Sequence, residues 1–173
     1  MNFTEFKLNA QILSGVKELG YETATPIQEK AIPSILAGLD VVGTAQTGTG
    51  KTAAFALPLL QRLMDGPRGQ LRGLILAPTR ELAEQIRQSI DRLAIRTGLR
   101  CTAIYGGANL VKQYQILRRG VDIVIACPGR LLDHINRGNI NLTQVEVLVL
   151  DEADHMFDLG FREPIYKIIR HLP

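Results

Sequence analysis

The sequence predicts an α/β domain, a parallel β-sheet with helices on both faces, and three observations carry that prediction. Short Val/Ile/Leu-rich runs alternate with segments of helical periodicity. The runs are nearly continuous in apolar residues, the pattern of strands buried on both sides. Each run ends in a turn rich in Gly, Pro, Thr or acid, where α/β folds carry their sites. Composition agrees: 173 residues, 46% hydrophobic, 21% charged and 5% aromatic, describe a soluble aliphatic chain long enough for a core.

The elements follow in order. Two helices are expected first, over about 9–19 and 26–37, the second with an apolar stripe at core spacing and a capping-box start at Thr25-Pro26-Ile27-Gln28. DVVGTA (40–45) reads as the first strand, followed by QTGTGKT and a helix over 50–64. DGPRGQ (65–70) is loop. RGLILA (72–77) leads through PTRE to a helix over 80–97, and RCTAIY (100–105) through GGAN to one over 109–119. VDIVIA (121–126) leads through CPGR to a helix over 128–137, and VEVLVL (145–150) delivers DEAD. A last apolar stripe spans 164–172. In a parallel sheet the five turns share the edge at the strands' carboxyl ends.

Two of these turns carry phosphate chemistry. Ala45-Gln46-Thr47-Gly48-Thr49-Gly50-Lys51-Thr52 fits G-x-x-x-x-G-K-[ST] with Ala45 at the first position. Such glycines let backbone N–H groups face phosphates at a helix N-terminus, with Lys51 on the β/γ-phosphates and the Thr52 hydroxyl on Mg²⁺. Asp151-Glu152 at the end of a buried strand supplies the complement: an acid to hold magnesium through water, and one to activate a water nucleophile. A solvated acidic turn would explain Asp151-Glu152 alone; paired with the phosphate loop earlier in the chain, it favours chemistry.

Net charge is +3, too small by itself to mark a nucleic-acid binder. Its distribution is more telling, for eight arginines and no lysine fall between Arg62 and Arg100. Cys101 and Cys127 lack any paired spacing, and the three histidines are scattered, so no zinc or disulfide framework is expected. No stretch has the length or apolarity of a membrane span or signal peptide, and a cytoplasmic protein is expected.

Taken together, the phosphate loop and Asp151-Glu152-Ala153-Asp154 resemble the DEAD-box family of ATP-dependent RNA helicases, over the whole chain. Gly20 to Gln28 is similar to the family's adenine-reading Q motif, with Ala24 where Pro is commoner. The resemblance implies ATP contacts from Tyr21, Thr25 and Gln28, and from Phe3, which stands 17 residues before Gly20. It implies RNA contacts from Pro78-Thr79-Arg80, from Gly106-Gly107 and from Cys127-Pro128-Gly129-Arg130, where Cys replaces the usual Thr. Asp154 would be a catalytic residue that the family's Ser-Ala-Thr motif couples to strand separation, and His155 stands where Arg is more frequent. Residues 1–38 then form the Q-motif region with its N-terminal helices, and 39–173 the RecA-like ATP-binding core, a single domain overall. Read without the resemblance, Gln28 is a helix-capping residue, and each arginine turn is a helix start with a solvated side chain. The three turns together suit the backbone and 2′-hydroxyls of RNA, with little reading of bases.

The function expected is the N-terminal ATP- and RNA-binding domain of such a helicase, using ATP and Mg²⁺ with a second RecA-like domain. No Ser-Ala-Thr tripeptide occurs; in the family it would lie just past Pro173, on a strand between the phosphate-loop strand and the acidic one. A gap is therefore expected between 40–45 and 145–150. These residues alone are expected to bind nucleotide weakly and hydrolyse it feebly. A non-catalytic RNA-binding module and a DNA-directed P-loop motor are the alternatives.

Overall fold

Asp122 shows how the sheet is aligned. Its fully buried carboxylate accepts the Gly69 N–H at 2.7 Å and the Arg100 N–H at 2.8 Å, fixing the chain where three strands begin. Those strands are β1 (Gly73–Leu76), β2 (Cys101–Ile104) and β3 (Ile123–Ala126), joined by β4 (Val147–Leu150) in the order β2-β3-β1-β4, all parallel. The register puts Leu76, Ile104, Ala126 and Leu150 in one row, so all four strands end level. This computed structural model describes all 173 residues.

The chain divides into two compact units, residues 1–66 with 89–99, and residues 67–88 with 100–173. The second holds the sheet. Every residue of β1 and β3 is buried, as continuous apolar runs require. Leu74, Leu76, Val124 and Ala126 pack with Leu131 of α6 (Pro128–Asn136), Met156 of α7 (Ala153–Asp158), and Ile165 and Ile168 of α8 (Arg162–Ile169). Also in this unit are α5 (Leu110–Arg118) and the start of α4 (Arg80–Leu93). β4 pairs with β1 alone and forms one border of the sheet.

The first unit is helical. A 3-10 helix over Phe3–Phe6 is followed by α1 (Ala10–Glu18), α2 (Pro26–Leu36) and α3 (Lys51–Met64), with α2 packed along α3. Ile12, Ile32, Leu57 and Leu60 are fully buried. Gly15 in α1 lies so close to the Leu93 carbonyl that any Cβ would collide with it.

The strand expected over 40–45 is not formed: residues 39–46 carry no secondary structure, and Val42 is 99% exposed. A strand is defined by ladder hydrogen bonds, and this apolar run has no ladder partner. The sheet accordingly has four strands. The other strands and helices lie within a few residues of their expected bounds; the helix expected over 80–97 stops at Leu93.

Candidate nucleotide and nucleic-acid sites

In the first unit, the phosphate loop is a solvent-open turn running into α3. Ala45, Thr49 and Gly50 are half-buried, and Gln46, Thr47 and Gly48 exposed. Gly48 and Gly50 take left-handed backbone, with φ of 81° and 88°, which glycine adopts at little cost. The Thr49 hydroxyl donates to the Gln46 carbonyl at 2.6 Å and closes the loop on itself. Lys51 and Thr52 occupy the first two positions of α3, whose first helical bond is Ala54 N–H to Gly50 O. The N–H groups ahead of it point out of the helix end, where the dipole favours an anion.

The Q-like segment is tied to this loop by one side chain. Gln28, 4% exposed, accepts the Thr25 N–H at 2.9 Å and donates from Nε2 to the Gly50 carbonyl at 3.1 Å. The expected capping box is thus present, with the Thr25 side chain facing the Gln28 N–H in return. That approach is too loose for a hydrogen bond, and the buried Thr25 hydroxyl has no hydrogen-bond partner. Phe3 is 3% exposed, edge-on to Phe6 and stacked on Tyr21 at 6.1 Å between centroids. The ring open to solvent is Tyr21, 41% exposed, with Phe3 behind it.

The second unit gathers the other predicted residues at the carboxyl edge of its sheet. The Asp151 N–H donates to the Leu76 carbonyl at 2.9 Å and extends the ladder by one step. Glu152 follows with φ 52° and ψ 50°, left-handed for a residue with a Cβ. That conformation costs about 1–3 kcal/mol and is concentrated at functional turns. Its Oε2 lies 3.2 Å from Nδ1 of the exposed His155, and Asp154 is exposed on α7.

After β1, buried Pro78 leads to Thr79, whose hydroxyl accepts the Leu82 N–H at 3.2 Å and caps α4. Arg80 is exposed, its guanidinium 5.0 Å above the Tyr105 ring. After β2, Gly106 and Gly107 form an exposed turn with φ of 79° at Gly107. After β3, Cys127 caps α6 without a side-chain bond, Pro128 is buried at the first helical position, and Gly129 has open space around its Cα. Burial first, and the Glu81 charge second, push the Cys127 thiol up to about 11.

Arg130 is not the solvated side chain that a plain helix start would carry. It keeps 12% of its side-chain surface exposed, and Nη1 turns inward to the Ala108 carbonyl at 2.9 Å and Gln113 Oε1 at 3.0 Å. Gln113 and His134 carried no signal of function in the sequence, yet both are buried at this point, 6% and 0% exposed. Their sequence trace is one polar residue on the inward face of a helix. Two hollows of this unit lie elsewhere, one lined by Ile135, Leu142 and His171, the other by Gly69, Gly120 and Gln144.

Comparison with known proteins agrees with these motifs. The sequence profile of the DEAD/DEAH box helicases matches residues 25–173. The chain is 47% identical over 171 residues to the ATP-dependent RNA helicase CshA of Listeria monocytogenes, covering 99% of this chain and 33% of that protein. It is 48% identical over 173 residues to the ATP-dependent rRNA helicase rrp3 of Emericella nidulans, covering 99% of this chain and 37% of that one. The chain thus spans about a third of the length of these curated relatives. On the profile match and these identities, the chain belongs to the DEAD/DEAH box helicase family.

Proposed function

We propose that this chain is the N-terminal ATP- and RNA-binding domain of an ATP-dependent RNA helicase, which parts short RNA duplexes together with a second RecA-like domain. The observation that carries this reading is the carboxyl edge of the sheet. Four level strands there present the acidic turn at Asp151-Glu152 beside three turns able to take phosphates. The names of the relatives, ATP-dependent RNA helicases, support it.

Each side chain has a role. The N–H groups from Gly48 to Thr52 and the Lys51 ammonium would receive the β- and γ-phosphates. Tyr21, backed by Phe3, would meet the base, and Gln28 and Thr25 its polar edge. The unpartnered Thr25 hydroxyl and the left-handed glycines fit a ligand at this loop. The Thr52 hydroxyl and the Asp151 carboxylate would each offer an oxygen to Mg²⁺, with phosphate and water completing its shell. No cluster of three or more His, Cys, Asp or Glu is built, and such a Mg²⁺ needs none. Bound magnesium would neutralise charge on the transferring phosphoryl group. Glu152 would take the proton of the attacking water. Pro78-Thr79-Arg80, Gly106-Gly107 and Cys127-Pro128-Gly129-Arg130 would hold the sugar–phosphate chain.

The test is RNA-stimulated ATP hydrolysis by the full-length protein. Glu152→Gln is expected to lower kcat by about 10²–10⁴-fold while nucleotide still binds, the usual range for losing a general base. Unchanged turnover in Glu152→Gln would refute catalysis by this turn and favour a binding module. Equal competition by DNA and RNA oligonucleotides at matched salt would favour the DNA-directed reading.

A further inference from the structure

Gly106 and Gly107 stand between two carbonyls that are both held from below. The Tyr105 carbonyl, just before the pair, accepts Gln113 Nε2 at 3.0 Å. The Ala108 carbonyl, just after it, accepts Arg130 Nη1 at 2.9 Å. The same Arg130 nitrogen donates to Gln113 Oε1 at 3.0 Å, so the two anchors are tied to each other. His134 Nε2 lies 3.2 Å from that oxygen, and His134 Nδ1 lies 3.2 Å from Asn139 Nδ2. An amide nitrogen can only donate, so Nδ1 accepts and Nε2 carries the proton that Gln113 receives. Gln113 therefore uses its oxygen for two donors and its amide for one acceptor.

The glycine pair itself is open. A Cβ on Gly106 would meet nothing within 4 Å, and one on Gly107 would reach only Arg80 Nη1, at 3.9 Å. Arg80 rests in turn on the Tyr105 ring, whose hydroxyl reaches Glu84 at 3.4 Å. An exposed two-glycine turn has many conformations, and a ligand that ordered it would lose affinity to that ordering. Here the ordering is already done by buried side chains.

We propose that Gln113 is a positioning residue for RNA binding. With Arg130 and His134 it forms a buried brace that pins the Gly106-Gly107 turn at both ends, presenting its open backbone preformed to a sugar–phosphate chain. Arg130 then acts largely from beneath the turn. This rests on the reading of that edge as the RNA site, and the experiment separates the two claims.

Affinity of the full-length protein for a fluorescently labelled oligouridylate, with a non-hydrolysable ATP analogue present, is measured for wild type, Gln113→Leu, Arg130→Ala and the double variant. Amide hydrogen exchange at residues 105–108 is followed without RNA. Gln113→Leu is expected to weaken RNA binding about tenfold, the effect of an ordering loss of ordinary size. It should speed exchange at Gly106 and Gly107 and leave affinity for the analogue unchanged. The double variant should be little weaker than the worse single one, because both act on one turn. Unchanged exchange at the turn, full additivity, or an equal loss of analogue affinity would each overturn the proposal; the last is what a merely structural role produces. Should Gln113→Leu not fold, Gln113→Glu keeps the acceptor for Arg130 and His134 and loses the donor to Tyr105; exchange at Gly106 no faster than wild type then overturns it. If wild type binds no RNA, the functional reading fails, while exchange at the turn still decides whether the brace exists.

Discussion

Two glutamines are buried, Gln28 in the first unit and Gln113 in the second, and they hold their surroundings on different terms. Gln28 makes two bonds to neutral backbone groups, the Thr25 N–H and the Gly50 carbonyl, and a buried hydroxyl beside it makes none. Gln113 accepts from a guanidinium and an imidazole and donates to a carbonyl, so it joins three segments. A neutral bond exchanged for another partner changes stability by about 1 kcal/mol, whereas losing the acceptor of a buried cation costs more. The surroundings of Gln28 are thus built so that another partner can take over its bonds. Those of Gln113 are built to hold one shape.

The sharpest way to break that contrast is at Gly50. Its φ of 88° forbids a Cβ at low cost, and an added Cβ would press on Gln28 Nε2. Gly50→Ala should lose about 2–3 kcal/mol, left-handed strain of about 1–2 kcal/mol with the Gln28 bond of about 1 kcal/mol. Urea unfolding measures it. Gly129→Ala is the control from the other unit, since its Cβ would meet nothing within 4 Å. It should shift stability by less than about 0.5 kcal/mol. Equal effects at the two glycines would mean that the phosphate loop adapts to a side chain, and Gln28 could not be its fixed tie.

These contrasts were only partly legible in the sequence. The strands at 72–77, 100–105, 121–126 and 145–150 were, as apolar runs; burial on two faces accounts for β1 and β3, while β2 and β4 are only partly buried. DVVGTA at 40–45 gives the same signal and forms no strand, since apolar residues favour a strand but hydrogen-bond partners make one. The motif residues were legible because loop chemistry is local: Gly48 and Gly50 are glycines where the backbone demands it. Glu152 was legible as an acid but not as strained, for no glycine marks its left-handed turn. Gln113 and His134 stand 21 residues apart on different helices, and neither spacing nor composition links them. In a helix read alone, a polar residue on the inward face looks like a break in the stripe.

A smaller effect sharpens the second unit's side of the comparison. Burial holds the His134 pKa below its ordinary value, and the Arg130 charge adds to this, with Asp133 opposing and Arg137 assisting. The unfolded chain therefore binds a proton that the folded one refuses. Stability should be full above about pH 6.5, the ordinary imidazole value, and decline as pH falls below it. Urea midpoints at neutral and mildly acidic pH measure the decline. His134→Leu, whatever its stability at neutral pH, should lose that part of the pH dependence. The phosphate loop offers no such handle, since neither Gln28 nor its two partners titrate near neutrality. A decline that persists in His134→Leu would place the titrating group outside the brace.

The smallest expected effect comes from two helix starts of the same design. Thr25-Pro26 opens α2 and Cys127-Pro128 opens α6, each with a cap residue in extended backbone and no side-chain cap hydrogen bond, although in α2 the Thr25 side chain faces the Gln28 N–H in a capping box. The reasons differ. With its thiol pushed up to about 11, Cys127 stays neutral, and a neutral sulfur accepts hydrogen bonds poorly. Thr25 has a good acceptor oxygen but a ψ of 162°, against 135° at Cys127. If chemistry alone limits α6, Cys127→Thr supplies the missing acceptor and should raise stability by about 0.5–1 kcal/mol, the low end of what such a cap contributes. Thermal unfolding of the two proteins side by side measures it. No gain would show that an X-Pro start holds even a hydroxyl out of reach in both units. The unpartnered Thr25 oxygen would then be a consequence of local backbone geometry rather than a place kept for the nucleotide.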